Sequence, residues 1–209
     1  MSFNIAIIDY EMGNLKSISK CLKHLNINAI ITDNPKIIMN ANGIILPGVG
    51  AFGDAMAYLK EKKLINVIYD AVDNGKPLFG VCLGLQLLFS ISFEMGKTKG
   101  LDLIKGKVIA FEKAKVDKIP HIGWNNVKFQ EKNHFLIEGI PDNSYFYFVH
   151  SFYTIPEKMD YSIGLTRYGK VEFSSIIGKE HLIATQFHPE KSSKNGIKIY
   201  QNFINFCKK

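Results

Sequence analysis

Arginine is almost absent: of the 26 basic residues in this 209-residue chain only Arg167 is an arginine, and the lysines are scattered. Nucleic-acid readers depend on clustered basic side chains and on the bidentate arginine fork. The net charge of +7 therefore describes a solvated lysine surface rather than a nucleic-acid interface, although some lysines could face an acidic partner or a phosphorylated substrate. Cysteine is scarce too. Cys21, Cys82 and Cys207 are an odd number with no CxxC spacing, which excludes a disulfide framework and suits a reducing compartment. No run of ~20 uncharged apolar residues is present for a membrane helix, and the opening "MSFNIAIIDY" lacks a basic segment followed by a signal-type apolar stretch. The expectation is a cytoplasmic protein without a membrane or nucleic-acid partner. His24, His134 and His181 have no companions at metal-ligand spacing, so neither a metal nor another cofactor is expected.

What the chain does have is apolar sequence in a regular rhythm. With 46% hydrophobic residues, it suffices for one domain spanning residues 1–209 with one core. "IAIID" (5–9), "AIIT" (29–32), "GIIL" (43–46) and "PLFGV" (77–81) are apolar without alternation, as parallel strands covered on both faces are. Leu15, Ile18, Leu22 and Leu25 share a helical side, and Asp54 can cap one helix running from Met56 to Val72, stopped by "NGKP" at 74–77. Alternating strands and helices imply right-handed crossovers and an open, mostly parallel, twisted α/β sheet flanked by helices. From about 101 to 187, strand-like pieces such as "SYFYFVHSFYT" and "EFSSIIG" predict a mixed or antiparallel extension of the same sheet. A closing helix then carries Ile197, Tyr200, Phe203, Ile204 and Cys207 on one face.

Function in such sheets gathers at the carboxyl ends of strands, and three motifs fall there. In "GVCLG", residues 80–84, Cys82 lies between a predicted strand and a predicted helix, the thiol counterpart of a nucleophile elbow. A helix N-terminus beside the sulfur favours thiolate over thiol. "QFHPE", 186–190, ends another strand; Glu190 can orient His188, which then serves the sulfur as base. "LPGVGAFGD", 46–54, contains G-x-G-x-x-G at Gly48, Gly50 and Gly53. A dinucleotide loop would follow the first strand and be matched by an acidic residue ending the next, neither of which holds here. The alternative use is to aim backbone N–H groups at an oxyanion, each worth ~3 kcal/mol of barrier. Val49 and Gly50 would supply one donor and Leu83 another.

Together "PGVGAFGDAM", "GVCLGLQLLF" and "QFHPEKS" resemble the oxyanion strand, nucleophile elbow and His-x-Glu of the triad (class I) glutamine amidotransferases. "IDYEMGNLKSI", "PHIGWNNV" and "YFVHSFY" narrow the resemblance to glutaminase subunits of imidazole glycerol phosphate synthase. It covers essentially the whole chain, and implies a flavodoxin-like fold and a Cys82–His188–Glu190 triad that hydrolyses L-glutamine to glutamate and ammonia. It also implies that Gln86, Gly50 and the backbone around His150 and Ser151 hold glutamine. A separate (β/α)8 cyclase subunit would receive the ammonia in a heterodimer, facing Met12, Asn14, His121 and Trp124. Two positions depart from the pattern: Glu11 stands where the family usually has glycine, and Lys105 where proline is common. Similar subunits serve enzymes that aminate cell-surface sugars, so the acceptor stays open at this point. So do an autonomous γ-glutamyl hydrolase and a non-catalytic regulatory subunit.

Overall fold

The structure, a computed structural model, describes residues 3–209. The chain begins with β1 (Asn4–Ile8), α1 (Leu15–His24), β2 (Asn28–Thr32), a short α2 (Pro35–Asn40) and β3 (Gly43–Leu46). There follow α3 (Phe52–Glu61), α4 (Leu64–Asp73), β4 (Leu78–Val81) and a five-residue α5 (Leu83–Leu87). The second half contains β5 (Phe89–Ser92), β6 (Thr98–Lys99), β7 (Ile104–Ala110), β8 (His121–Phe129), β9 (Ser144–His150), β10 (Phe152–Pro156), β11 (Ser162–Tyr168), β12 (Val171–Lys179) and β13 (Leu182–Thr185). It ends in α6 (Ser193–Cys207).

Nine strands form the main sheet in the order β2-β1-β3-β4-β13-β12-β11-β8-β9. Pairing is parallel from β2 through β13 and antiparallel from β13 outward to β9. β1, β3, β4 and β13 are apolar and buried because both faces are covered; β2, expected to be covered likewise, is the sheet edge and leaves Ile31 39% exposed. Ile5 and Ile7 of β1 pack with Ile18 and Leu22 of α1 and Phe203 of α6, while Ala6 and Ile8 point to the other side, among Leu59 of α3 and Ile68 of α4. Each fully buried isoleucine contributes ~2 kcal/mol by leaving water. On α6, Tyr200, Phe203 and Ile204 are fully buried and Ile197 and Cys207 partly so. No described helix is long and apolar enough to cross a membrane.

Three expectations are corrected. The second half is more than an extension of one sheet: β10, β7, β5 and β6 form a separate four-stranded sheet. "SYFYFVHSFYT" accordingly breaks at Ser151, with β9 in the main sheet and β10 in the second. The helix expected after the glycine loop is two helices, parted at Lys63, whose φ of +58° lies in the left-handed region. Asp54 sits inside the first turn of α3 and Ala51 precedes it, so the carboxylate complements the helix dipole without capping it.

Glu11 explains itself once its backbone is seen. Its φ is +72°, a conformation that costs a side-chain-bearing residue ~1–2 kcal/mol and accounts for the glycine usual there. Its partner is Lys62 at 3.1 Å, with Glu11 well exposed, and such pairs contribute only ~0–1 kcal/mol. Lys105, the other departure, makes an exposed ion pair with Asp102 at 2.6 Å. Glu11→Gly should therefore raise stability by ~0.5 kcal/mol, the relief of strain being partly offset by the looser unfolded chain. A urea midpoint that falls would show that the ion pair outweighs the backbone strain.

Candidate active site

Cys82 is the hinge between β4 and α5, with φ +55° and ψ −108°. A β-carbon on Gly84 would collide with the carbonyl oxygen of Leu46, and one on Gly80 would lie 2.9 Å from the carbonyl oxygen of Gly84. The two glycines thus let α5 start directly against the end of β3. The turn is held by backbone bonds from Cys82 N–H to the Thr185 carbonyl (2.8 Å) and from the Leu85 and Gln86 N–H groups to the Cys82 carbonyl (3.1 and 3.3 Å).

The next strand of the sheet delivers the base. His188 follows β13 and leads into a 3-10 turn, Pro189–Lys191. Its Nδ1 bonds Glu190 Oε1 at 2.8 Å, both side chains being almost fully buried, and Tyr200 OH donates to Glu190 Oε2 at 3.4 Å. With Nδ1 donating to the carboxylate, the ring presents Nε2, which is buried and has no hydrogen bond of normal length. Burial alone lowers the imidazole; the facing Cys82 sulfur and the Glu190 carboxylate outweigh it and raise the group to about 10. Cys82 Sγ itself lies 3.9 Å from the Val149 carbonyl oxygen and 3.8 Å from Gln186 Nε2.

A cavity of about 330 Å³ opens onto the sulfur, lined among others by Val49, Gly50, Leu83, Gln86, Ser151 and His188. A larger depression of about 980 Å³, beside Trp124, Tyr145 and Lys194, is lined by neither Cys82 nor His188. Gly50 has φ +101°, and among the described residues the N–H groups of Val49 and Gly50 find no hydrogen-bond acceptor; Leu83 N–H belongs to the first turn of α5, where helical partners are missing. The loop is fastened at both ends. Tyr10 OH donates to the Pro47 carbonyl at 2.6 Å, and Phe52 N–H donates to Glu94 Oε2 at 2.7 Å. A carboxylate at the start of α3 also leaves no welcome for a dinucleotide phosphate there.

The remaining expected residues divide. Gln86 lines the cavity, with Nε2 donating to the Phe152 carbonyl and to Gln186 Oε1, both at 3.1 Å. His150 also lines it, but its ring is engaged in a buried chain. Nδ1 meets the Phe152 carbonyl at 2.7 Å and Nε2 meets His121 Nδ1 at 2.9 Å. His121, expected to face a partner, is only 3% exposed, because its ring is stacked on Phe148 and Tyr168. Trp124, three residues along β8 from His121 and therefore on the opposite face, is 52% exposed. Met12 lies over the glycine loop, its Cε 2.6 Å from where a Gly50 β-carbon would be. Asn14 precedes α1 and accepts from Ser17 and Ile18 through its carbonyl.

Two residues at the site had been given no role. Glu94 is the one acidic side chain lining the cavity among the described residues; it follows β5, which the sequence disguises as a continuation of α5. Gln186 is fully buried, and its only sequence signal was proximity to His188. Among the described residues no group of three or more His, Cys, Asp or Glu side chains could hold a metal.

Comparison with known proteins gives the family. The family model "Glutamine amidotransferase class-I" matches residues 6–206. The chain belongs to the class I glutamine amidotransferases. The imidazole glycerol phosphate synthase subunit HisH of Desulfitobacterium hafniense (strain DSM 10664 / DCB-2) is 48% identical over 95% of this chain and 92% of its own. That of Methanocaldococcus jannaschii is 50% identical over 96% and 98%. Among solved structures, PurLQS from Thermotoga maritima matches with a TM-score of 0.74 at 19% identity, covering 99% of each chain, a likeness of fold.

For this amidotransferase the His188 shift fixes the sign of a pH effect. The imidazolium persists below about 10 and is lost above it, so an imidazolium-dependent step fails on the alkaline side. Removing the adjacent carboxylate lowers the imidazole. In Glu190→Gln the alkaline limb of kcat should move down by ~1 pH unit or more, and kcat should drop ~10-fold or more. An unmoved limb would show that Glu190 does not govern the ring.

Proposed function

We propose that this chain is the glutaminase subunit of imidazole glycerol phosphate synthase. It hydrolyses L-glutamine to glutamate and ammonia and passes the ammonia to a (β/α)8 cyclase subunit. That partner forms imidazole glycerol phosphate and an aminoimidazole carboxamide ribotide in histidine biosynthesis. The observation that carries the chemistry is a buried imidazole with one nitrogen on Glu190 and the other unpartnered beside Cys82 Sγ. The subunit assignment rests on relatives near half identity over almost their whole length.

The reaction follows from the groups present. The Cys82 proton passes to His188 Nε2, and the sulfur attacks the carboxamide carbon of glutamine. Negative charge then develops on the carboxamide oxygen, and the amides of Val49 or Gly50 and of Leu83 receive it. His188 returns its proton to the leaving nitrogen, ammonia departs and a γ-glutamyl thioester remains. Water, deprotonated by His188, attacks the thioester and releases glutamate. Gln86 Oε1, which accepts no protein hydrogen bond, can take a donor from the substrate, as can the backbone around His150 and Ser151. Glu94 suits the α-ammonium of glutamine, since its Oε1 is not used by the protein.

Ammonia set free in neutral water becomes ammonium and loses its nucleophilic lone pair, which is why the acceptor site belongs on a docked partner. On this side of the interface, Met12 touches the glycine loop, so a partner pressing on Met12 acts on the oxyanion donors. Exposed Ile122, Trp124 and Tyr145 on β8 and β9 offer apolar surface to the same partner. Three free cysteines suit the reducing cytoplasm.

The test is co-purification with the candidate cyclase, followed by glutamate release with and without the cyclase ligand. The subunit alone should be nearly inactive, the complex stimulated, and Cys82→Ala in the complex silent. Full-rate turnover by the isolated chain would refute the subunit assignment, and turnover by Cys82→Ala the mechanism. In the same assay Glu94→Gln, which keeps an acceptor for Phe52 N–H but removes the charge, should raise KM for glutamine ~10-fold or more with kcat within about threefold. An unchanged KM would remove Glu94 from the ammonium site.

A further inference from the structure

Gln186 has no part in the mechanism above, yet its side-chain nitrogen lies 3.8 Å from the reacting sulfur and the residue is fully buried. Its direction is not a free choice. A backbone carbonyl can only accept, so Gln86 must turn its amino group toward the Phe152 oxygen. That same amino group meets Gln186 at 3.1 Å, which obliges Gln186 to show its oxygen there and its own amino group to Cys82. Any other arrangement sets acceptor against acceptor or donor against donor, at ~1–3 kcal/mol for each buried group left unsatisfied.

We propose that Gln186 is a further catalytic residue: its side-chain N–H is a preset donor to Cys82 Sγ, aimed by the Phe152 carbonyl through Gln86, and it stabilises the sulfur whenever that atom is anionic. The inference rests on Cys82 being the nucleophile. When the S–H bond breaks, the proton goes to His188 Nε2 and the electron pair stays on sulfur, facing this N–H. Formation of the thioester spends that pair in the new S–C bond, and the contact weakens. Hydrolysis of the thioester breaks the S–C bond and returns the pair to sulfur, so the same donor assists its departure before His188 gives the proton back. Hydrogen bonds to ionised groups are roughly twice as strong as neutral ones; the donor therefore favours the charged stages of the cycle over the neutral ones.

Two variants test this. Gln186→Met keeps bulk and removes the donor; Gln186→Glu keeps shape and turns an oxygen toward the sulfur. Each is read by alkylation of Cys82 with iodoacetamide across the neutral to alkaline range, located by peptide mapping, and by kcat and KM in the complex with the cyclase. Gln186→Met should slow alkylation at neutral pH and kcat ~10-fold, with KM within about threefold. Gln186→Glu should also move the alkylation profile to higher pH by ~1 unit or more, His188, His150, Glu190, Glu94 and Tyr10, the other titratable groups about the sulfur and its cavity, being unaltered. A wild-type alkylation profile in Gln186→Met overturns the proposal, as does a loss expressed only in KM, which would make Gln186 a wall of the glutamine pocket. Should Gln186→Glu fail to fold, Gln186→Met alone decides. Failure of wild-type Cys82 to alkylate would instead refute the nucleophile, an outcome separable from both variants.

Discussion

The left-handed turn at Cys82 is the constraint on which the site depends. A side-chain-bearing residue at φ +55° is held against ~1–2 kcal/mol of backbone strain, and it persists because its neighbours leave no alternative. β4 lies between β3 and β13, so the turn emerges with a strand end on either side. One flank, β3, runs into the glycine loop, and the other, β13, runs into His188. Gly84 packed on the Leu46 carbonyl sets the spacing to the first flank, and Cys82 N–H on the Thr185 carbonyl sets it to the second. The proposed nucleophile, oxyanion donors and base come from three segments far apart in sequence; adjacency in one sheet, more than any contact between their side chains, brings them together.

How much of this could be read in advance depended on how local the governing interaction is. Parallel strands with both faces covered announce themselves as unbroken apolar runs, and β1, β3 and β4 were legible for that reason; β2 carries the same pattern at the exposed sheet edge. The elbow glycines and the His-x-Glu spacing are equally local. Other features hinge on partners distant in the chain. "SYFYFVHSFYT" has continuous strand propensity, and nothing within it says that β9 and β10 join different sheets; the break at Ser151 follows from β10 pairing with β7 while β9 pairs with β8. The left-handed residue between α3 and α4 is a lysine, so the usual glycine signal was missing. His121 reads as a surface residue beside Trp124, whereas its register opposite His150 turns it inward.

Polarity inside the site has a single origin. The Phe152 carbonyl, on the short crossing between the two sheets, accepts from Gln86 Nε2 and from His150 Nδ1. The second arm runs outward: His150 with Nδ1 protonated must accept at Nε2, so His121 donates from Nδ1 and accepts at Nε2 from Asn125 Nδ2 at 3.2 Å. Both tautomers follow from one backbone atom. A buried polar network in which every member is satisfied gives rigidity where a partly satisfied one would cost stability. Here it fixes the backbone at His150 to Phe152, the rim of the glutamine cavity.

The same burial that stiffens this chain also sorts the charges. Burial pushes His150 down to about 3 and His121 down to about 4, and neither has a carboxylate partner. The cation at His188 further depresses His150. His188 is as enclosed as they are yet moves in the opposite direction, because the facing sulfur first, and Glu190 after it, favour its charged form. Three imidazoles near one cavity therefore divide into two neutral struts and one proposed proton carrier. Were His150 cationic as well, it would compete with His188 for the sulfur's electrons and lose the acceptor that holds His121. What separates the roles is a sulfur facing one ring, backed by a carboxylate on the ring's other nitrogen, and the lack of both at the other two.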